Sequence, residues 1–98
     1  MIKVMIERRV KKEADISVLL RALWMAAMNA PGYISGETLI NAQDKTEVVA
    51  VATWSSLKEW REWEKSEPRV KILEQIKPLL AQESRVRVFQ IAATERGR

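Results

Sequence analysis

The stretch 46–54, TEVVAVATW, constrains the fold of this chain more than any other part of it. Read as a strand, it is apolar on both sides, with Val48 and Ala50 on one face and Val49 and Val51 on the other. A strand buried on both faces sits in the middle of a sheet and is covered on each side. It therefore needs strand neighbours, and the flanking sequence supplies them. Residues 33–42 read as a second strand, joined to it through the polar turn Gln43-Asp44-Lys45, so the two form a hairpin. Residues 2–10 alternate, with Ile2, Val4, Ile6 and Val10 on one face and Lys3, Met5, Glu7 and Arg9 on the other. Arg8 breaks that alternation by standing on the apolar face. Residues 84–92 give a last strand, and 93–98 a loose tail.

Helical spacing fills the gaps. Ile16, Leu19, Leu20, Leu23, Trp24, Ala27 and Met28 predict a helix over 14–30, with Asp15 as its N-terminal acid and Pro31-Gly32 as its stop. Ser56-Leu57-Lys58-Glu59 is a capping box that opens a second helix with Leu57, Trp60 and Trp63 along it. Glu67-Pro68 restarts the chain helically, with Val70, Leu73, Ile76 and Leu80 as its buried face, until Pro78 breaks it near Lys77.

The order β-α-β-β-α-β is the split βαβ of the α+β, ferredoxin-like class, with an antiparallel sheet in the order 4-1-3-2. That order puts 46–54 inside the sheet, as its two-sided apolarity requires. Helices cover one face only. The other face carries Met5, Val49, Val51 and Phe89, so a second sheet is expected to pack there. Two copies packed face to face would form a dimeric α/β barrel, which makes a homodimer the expected state. A chain of 98 residues is expected to be one domain.

Composition closes off several functions. There is no His and no Cys. That removes the commonest general base near neutral pH and the usual nitrogen and thiolate ligands for metals and haem. No metal or other cofactor is expected, and any chemistry falls to carboxylates, Arg, Lys, Tyr33, hydroxyls, amides or the substrate itself. No apolar run approaches the ~20 residues that span a bilayer, so no membrane partner is expected. MIKVMIERRV reads as a strand, not a signal peptide, and the cytoplasm is the expected location. The net charge of +4 is uneven: residues 1–12 hold five Lys/Arg against one Glu, and 85–98 hold four against one. In the expected sheet order these basic segments lie side by side. Nucleic-acid binding on this fold uses stacking aromatics on the central strands, where this chain has VVAVAT, so none is expected.

Two features stand out from the frame. Four of the six aromatics are Trp, at 24, 54, 60 and 63. Trp60 and Trp63 are about 60° apart around a helix, so one is expected in the core and the other at a cleft. Arg8, on an apolar face, has two readings: an ion pair with Glu37, Glu59, Glu62 or Glu64, or a contact to a ligand.

The runs PGYISGETLINAQ, VVAVATW and SSLKEWREWEKSEPRVK resemble the antibiotic biosynthesis monooxygenase family, over roughly residues 2–92. The resemblance implies a dimeric α/β barrel with a cavity between sheet and helices in each subunit. Some members oxygenate polyphenols without metal or flavin. Others degrade haem with a strand-one Asn, a helix Trp and a His. Trp63 matches that Trp, but Arg8 stands at the Asn position and Leu73 at the His position. The resulting expectation is a cofactor-independent monooxygenase-like protein acting on an aromatic or enolisable, anionic small molecule. The alternative is a non-catalytic dimeric domain for ligand binding or assembly. Arg8 and Trp63 are expected to face one cavity, with Tyr33 and Asn41 as neighbours, and a volume of about 300 Å³ or more would favour the enzyme.

Overall fold

The computed structural model describes residues 1–97. Four strands, β1 (Ile2–Arg9), β2 (Tyr33–Ile40), β3 (Glu47–Trp54) and β4 (Arg85–Gln90), form one open antiparallel sheet in the order β2-β3-β1-β4. Helices α1 (Ser17–Met28), α2 (Leu57–Glu64) and α3 (Glu67–Ile76) cover one of its faces, and a 3-10 turn at Lys77–Leu79 follows α3. This is the ferredoxin-like order expected from the pattern, with β3 central. Residues across the ladder share a face, so Ile6 lies beside Ala50 and Arg8 beside Val48 on the helix side. Val4, Trp54, Trp60 and Ile76 are the deepest side chains of the core between.

The helices depart from expectation in informative ways. Helix α1 starts at Ser17, not 14, because Glu13 adopts a left-handed backbone (φ 66°). Asp15 Oδ1 accepts the Ser17 N–H at 2.9 Å, and this bond holds the carboxyl below its usual range. Of the long apolar stripe only Ile16, at the N-cap, and Leu23 and Ala27 are buried, while Trp24 is 45% exposed. Ser56 caps α2 as expected, its hydroxyl accepting the Glu59 N–H at 3.2 Å. The Glu59 carboxylate returns to the Ser55 and Ser56 hydroxyls and packs on Gly32. Gly32 has φ 88°, and a Cβ there would collide with Glu59, so the turn after α1 needs glycine twice over.

Two positions assigned to the helices' buried faces are in fact exposed: Leu57 and Val70. The chain breaks at Lys65-Ser66, and Pro68 starts α3 afresh, which resets the helical phase. Arg69, not Val70, turns inward. Beyond α3, Ala81 N–H donates to the Arg9 carbonyl at 2.7 Å and Val10 pairs with Leu80, tying the α3 exit to the Arg8 end of β1.

Candidate functional site

A cavity of about 80 Å³ lies between the helix-covered face of the sheet and the helices. Arg8 reaches it from β1, Tyr33 from β2, Trp54 from β3, Trp24 from α1, Trp60 and Trp63 from α2, and Arg69 from α3. Residues from six elements, three strands and three helices, thus converge on one small space. Exposure grades its depth: Arg8, Trp54 and Trp60 are each 2% exposed or less, whereas Trp24 and Thr38 form its exposed rim.

Local structure explains each placement. Tyr33 sits at a register irregularity in β2, and its ring meets Trp54 edge-on, with centres 5.4 Å apart. Its hydroxyl occupies the space a side chain at Gly36 would fill. Trp54 packs against both α2 indoles, at 5.8 Å from Trp60 and 6.2 Å from Trp63. The expected division of those two, one core and one cleft, does not occur: both are buried and both line the cavity. The bulk of Trp54 fills a gap wide enough for both to reach.

Arg8 is the electrostatic centre. Among the described residues it forms no ion pair, so the pairing with a helix glutamate considered above does not form. Its Nε and Nη2 are buried without a hydrogen-bond partner. Burial, followed by repulsion from Arg69, pushes its pKa down to about 10, so it remains a cation near neutral pH. Arg69 is better supported: Nη1 donates to the Glu64 carbonyl at 3.0 Å and the guanidinium lies 5.3 Å from the Trp60 ring centre. Burial lowers its pKa too, and the nearby Glu64 charge partly offsets this. Arg8 also lines a groove of about 430 Å³ on its other side, against Leu73, Ile76, Lys77 and Leu80.

Asn41 is not brought to the cavity. Its Oδ1 accepts the Gln43 N–H at 2.8 Å and its amide donates to Glu47 at 2.7 Å, so it organises the β2–β3 turn. That turn needs an acceptor for its own N–H groups, and Asn41 supplies it. Arg69 was not among the site residues expected from sequence; its position beside Val70 reads as solvent-facing unless the phase break before α3 is seen. Among the described residues no cluster of three or more acidic or other ligating side chains is placed to hold a metal ion. Among the described residues no helix is long and apolar enough to cross a membrane.

The architecture is that of small α+β proteins which enclose a cavity between an antiparallel sheet and its helices. The sequence profile of the antibiotic biosynthesis monooxygenase family matches residues 1–75, and the chain belongs to that family. Solved structures with the same fold include SnoaB of Streptomyces nogalater, described as a cofactor-independent oxygenase, at 14% identity and TM-score 0.82, covering 95% of each chain. Rv0793 of Mycobacterium tuberculosis is similar at 19% identity and TM-score 0.86, over 95% of this chain and 96% of that one. A conserved protein of Methanosarcina mazei matches at 15% identity and TM-score 0.85, over 91% and 90%. No protein of curated function matches significantly.

Proposed function

We propose that this protein is a cofactor-independent monooxygenase-like enzyme, working as a homodimer, that acts on an aromatic or enolisable small molecule in the cavity beside Arg8 and Trp63. The observation that carries this reading is the unpaired, buried Arg8 guanidinium in a cavity walled by indoles. The chemistry needs a substrate that becomes an electron-rich anion. Its carbon then bonds to oxygen, and the hydroperoxide formed loses water to leave a carbonyl. One oxygen atom stays in product and the other leaves as water with two substrate hydrogens. The protein need only desolvate the substrate, orient it and hold the anion, which suits a fixed cation and flat apolar walls. Family membership and the fold shared with SnoaB support the reading.

A second reading, a binding domain without catalysis, is favoured by the cavity's size. At about 80 Å³ it falls short of the roughly 300 Å³ typical of ligand pockets. The test is dissolved-oxygen uptake with a panel of polyphenols and enolisable aryl ketones, in chelator-treated buffer without flavin. Uptake should depend on the protein and fall by about a hundredfold or more in Arg8→Leu. Uptake that no panel member stimulates, or that chelator abolishes, would overturn the enzyme reading.

A further inference from the structure

Every buried polar atom left without a partner around the cavity is an N–H donor. Arg8 contributes Nε and Nη2, Trp54 its Nε1 and Trp60 its Nε1. Buried donors without acceptors are rare in folded proteins, and four on residues lining one cavity describe the complement of a missing acceptor. Arg69 adds a second guanidinium on the same lining, fixed in place by the Glu64 carbonyl and the Trp60 ring. Two cations and two indole N–H groups, with no unpartnered side-chain acceptor on the same lining, match a group with two anionic oxygens better than one with a single oxygen.

Size decides how such a ligand enters. A volume of about 80 Å³ is the share of two or three liquid waters, enough for a carboxylate but not for an aromatic ring. The donors lie on its deepest residues, while the exposed indole of Trp24 stands at the rim.

We propose that the cavity is a head-first site for an aromatic carboxylate, with the carboxylate held by Arg8, Arg69, Trp54 and Trp60 and the ring resting on Trp24. The inference rests on the proposed function only for the choice of cavity. It narrows the substrate class to molecules that are anionic before any reaction begins.

Calorimetric titration of the whole protein with unreactive probes tests it without any turnover. Benzoate should bind about tenfold or more tightly than its neutral isostere benzamide. Arg69→Gln should abolish the preference for benzoate over benzamide. Trp24→Ala should weaken benzoate while leaving acetate unchanged, because acetate has no ring to rest on the rim. Equal binding of benzoate and benzamide overturns the proposal, as does phosphate competing as well as benzoate, which would mark an inorganic-anion or water-filled site. If Arg69→Gln does not fold by circular dichroism, the wild-type benzoate to benzamide ratio decides alone. Benzoate selectivity without oxygen uptake in the preceding assay would keep this inference and remove the oxygenase. Uptake without benzoate selectivity would do the reverse.

Discussion

Trp63 lies nearly parallel to Trp54, ring centres 6.2 Å apart and planes 26° from coincidence. Both indoles are buried and belong to the main core cluster with Trp60 and Ile76, so the cavity wall and the core are the same side chains. Trp63→Ala should therefore cost about 3–5 kcal/mol, the range for emptying a buried aromatic site. Trp63→Phe should keep much of the packing and lose less than half as much. Urea unfolding monitored by circular dichroism measures both. A loss under about 1 kcal/mol in Trp63→Ala would show that the indole is not core.

Arg8 gives the opposite expectation. Its charged form is disfavoured in the fold, since burial and then Arg69 push its pKa well below the ordinary guanidinium range, to about 10. At about 1.4 kcal/mol per pH unit this amounts to a destabilisation of roughly 3 kcal/mol. The sign follows from proton binding. From about pH 10 up to the ordinary guanidinium range the unfolded chain holds more protons than the folded one at this group, so the destabilisation is complete below about 10 and fades above it. Arg8→Leu should thus be more stable than wild type by about 1–3 kcal/mol at pH 7, with the gap narrowing as pH rises past 10. Matched thermal melts at pH 7 and at pH 11 would decide, and a destabilised Arg8→Leu at pH 7 would mean that the guanidinium has a structural partner after all.

Asn41→Ala should act on the hairpin alone. It removes the acceptor for the Gln43 N–H and the donor to Glu47, all in exposed surroundings. A loss of about 1 kcal/mol is expected, with ligand affinity unchanged. A change in benzoate affinity in the titration above would place Asn41 functionally at the cavity.

Much of this was readable before any coordinates. The two-sided apolarity of 46–54 and the alternation of 2–10 define the sheet order, and the even-numbered register of β1 puts Arg8 under the helices. Tyr33, Trp63 and Arg8 line one cavity because strand alternation and one helix face suffice to aim them. What was hidden depended on phase and bulk. The break at Lys65-Ser66 rotates α3 so that Arg69 replaces Val70 inside, and no local pattern marks the size of that rotation. Trp60 and Trp63 both turn inward because both pack on Trp54 at the end of β3, a contact that the helical spacing of α2 alone does not reveal. Asn41 was drawn toward a site by its residue type, whereas its position before a polar turn governs its bonds.

Haem is not an expected substrate. Leu73 is packed against the core where haem-degrading relatives are expected to carry a His, and the chain has no His or Cys elsewhere. The cavity is also far smaller than a porphyrin. Haem mixed with the protein, a reductant and air should retain its Soret band at the rate of a protein-free control. Protein-dependent bleaching to an open-chain product would contradict this.

The uncovered face of the sheet carries the last prediction. Met5, Val49 and Val51 are half-buried there with nothing packed on them, and Leu39 and Phe89 are exposed at 46% and 44%. Charges flank the strip, with Glu7 and Arg85 across one ladder and Arg87 beside Phe89. An apolar strip framed by charge suits association with another sheet. A second copy would present the same strip, so the two faces can meet about a two-fold axis. The association should bury more than about 1,000 Å² in total. Light scattering at micromolar concentration should therefore return twice the chain mass of 11.3 kDa. Val49 lies at the centre of the strip and does not line the cavity, so Val49→Glu tests the face without touching the site. Like charges brought together across the two-fold should split the pair, giving an 11.3 kDa species that still binds benzoate if each cavity is complete within one chain. A wild-type monomer, or a Val49→Glu variant of unchanged mass, would show that this face is not where copies meet.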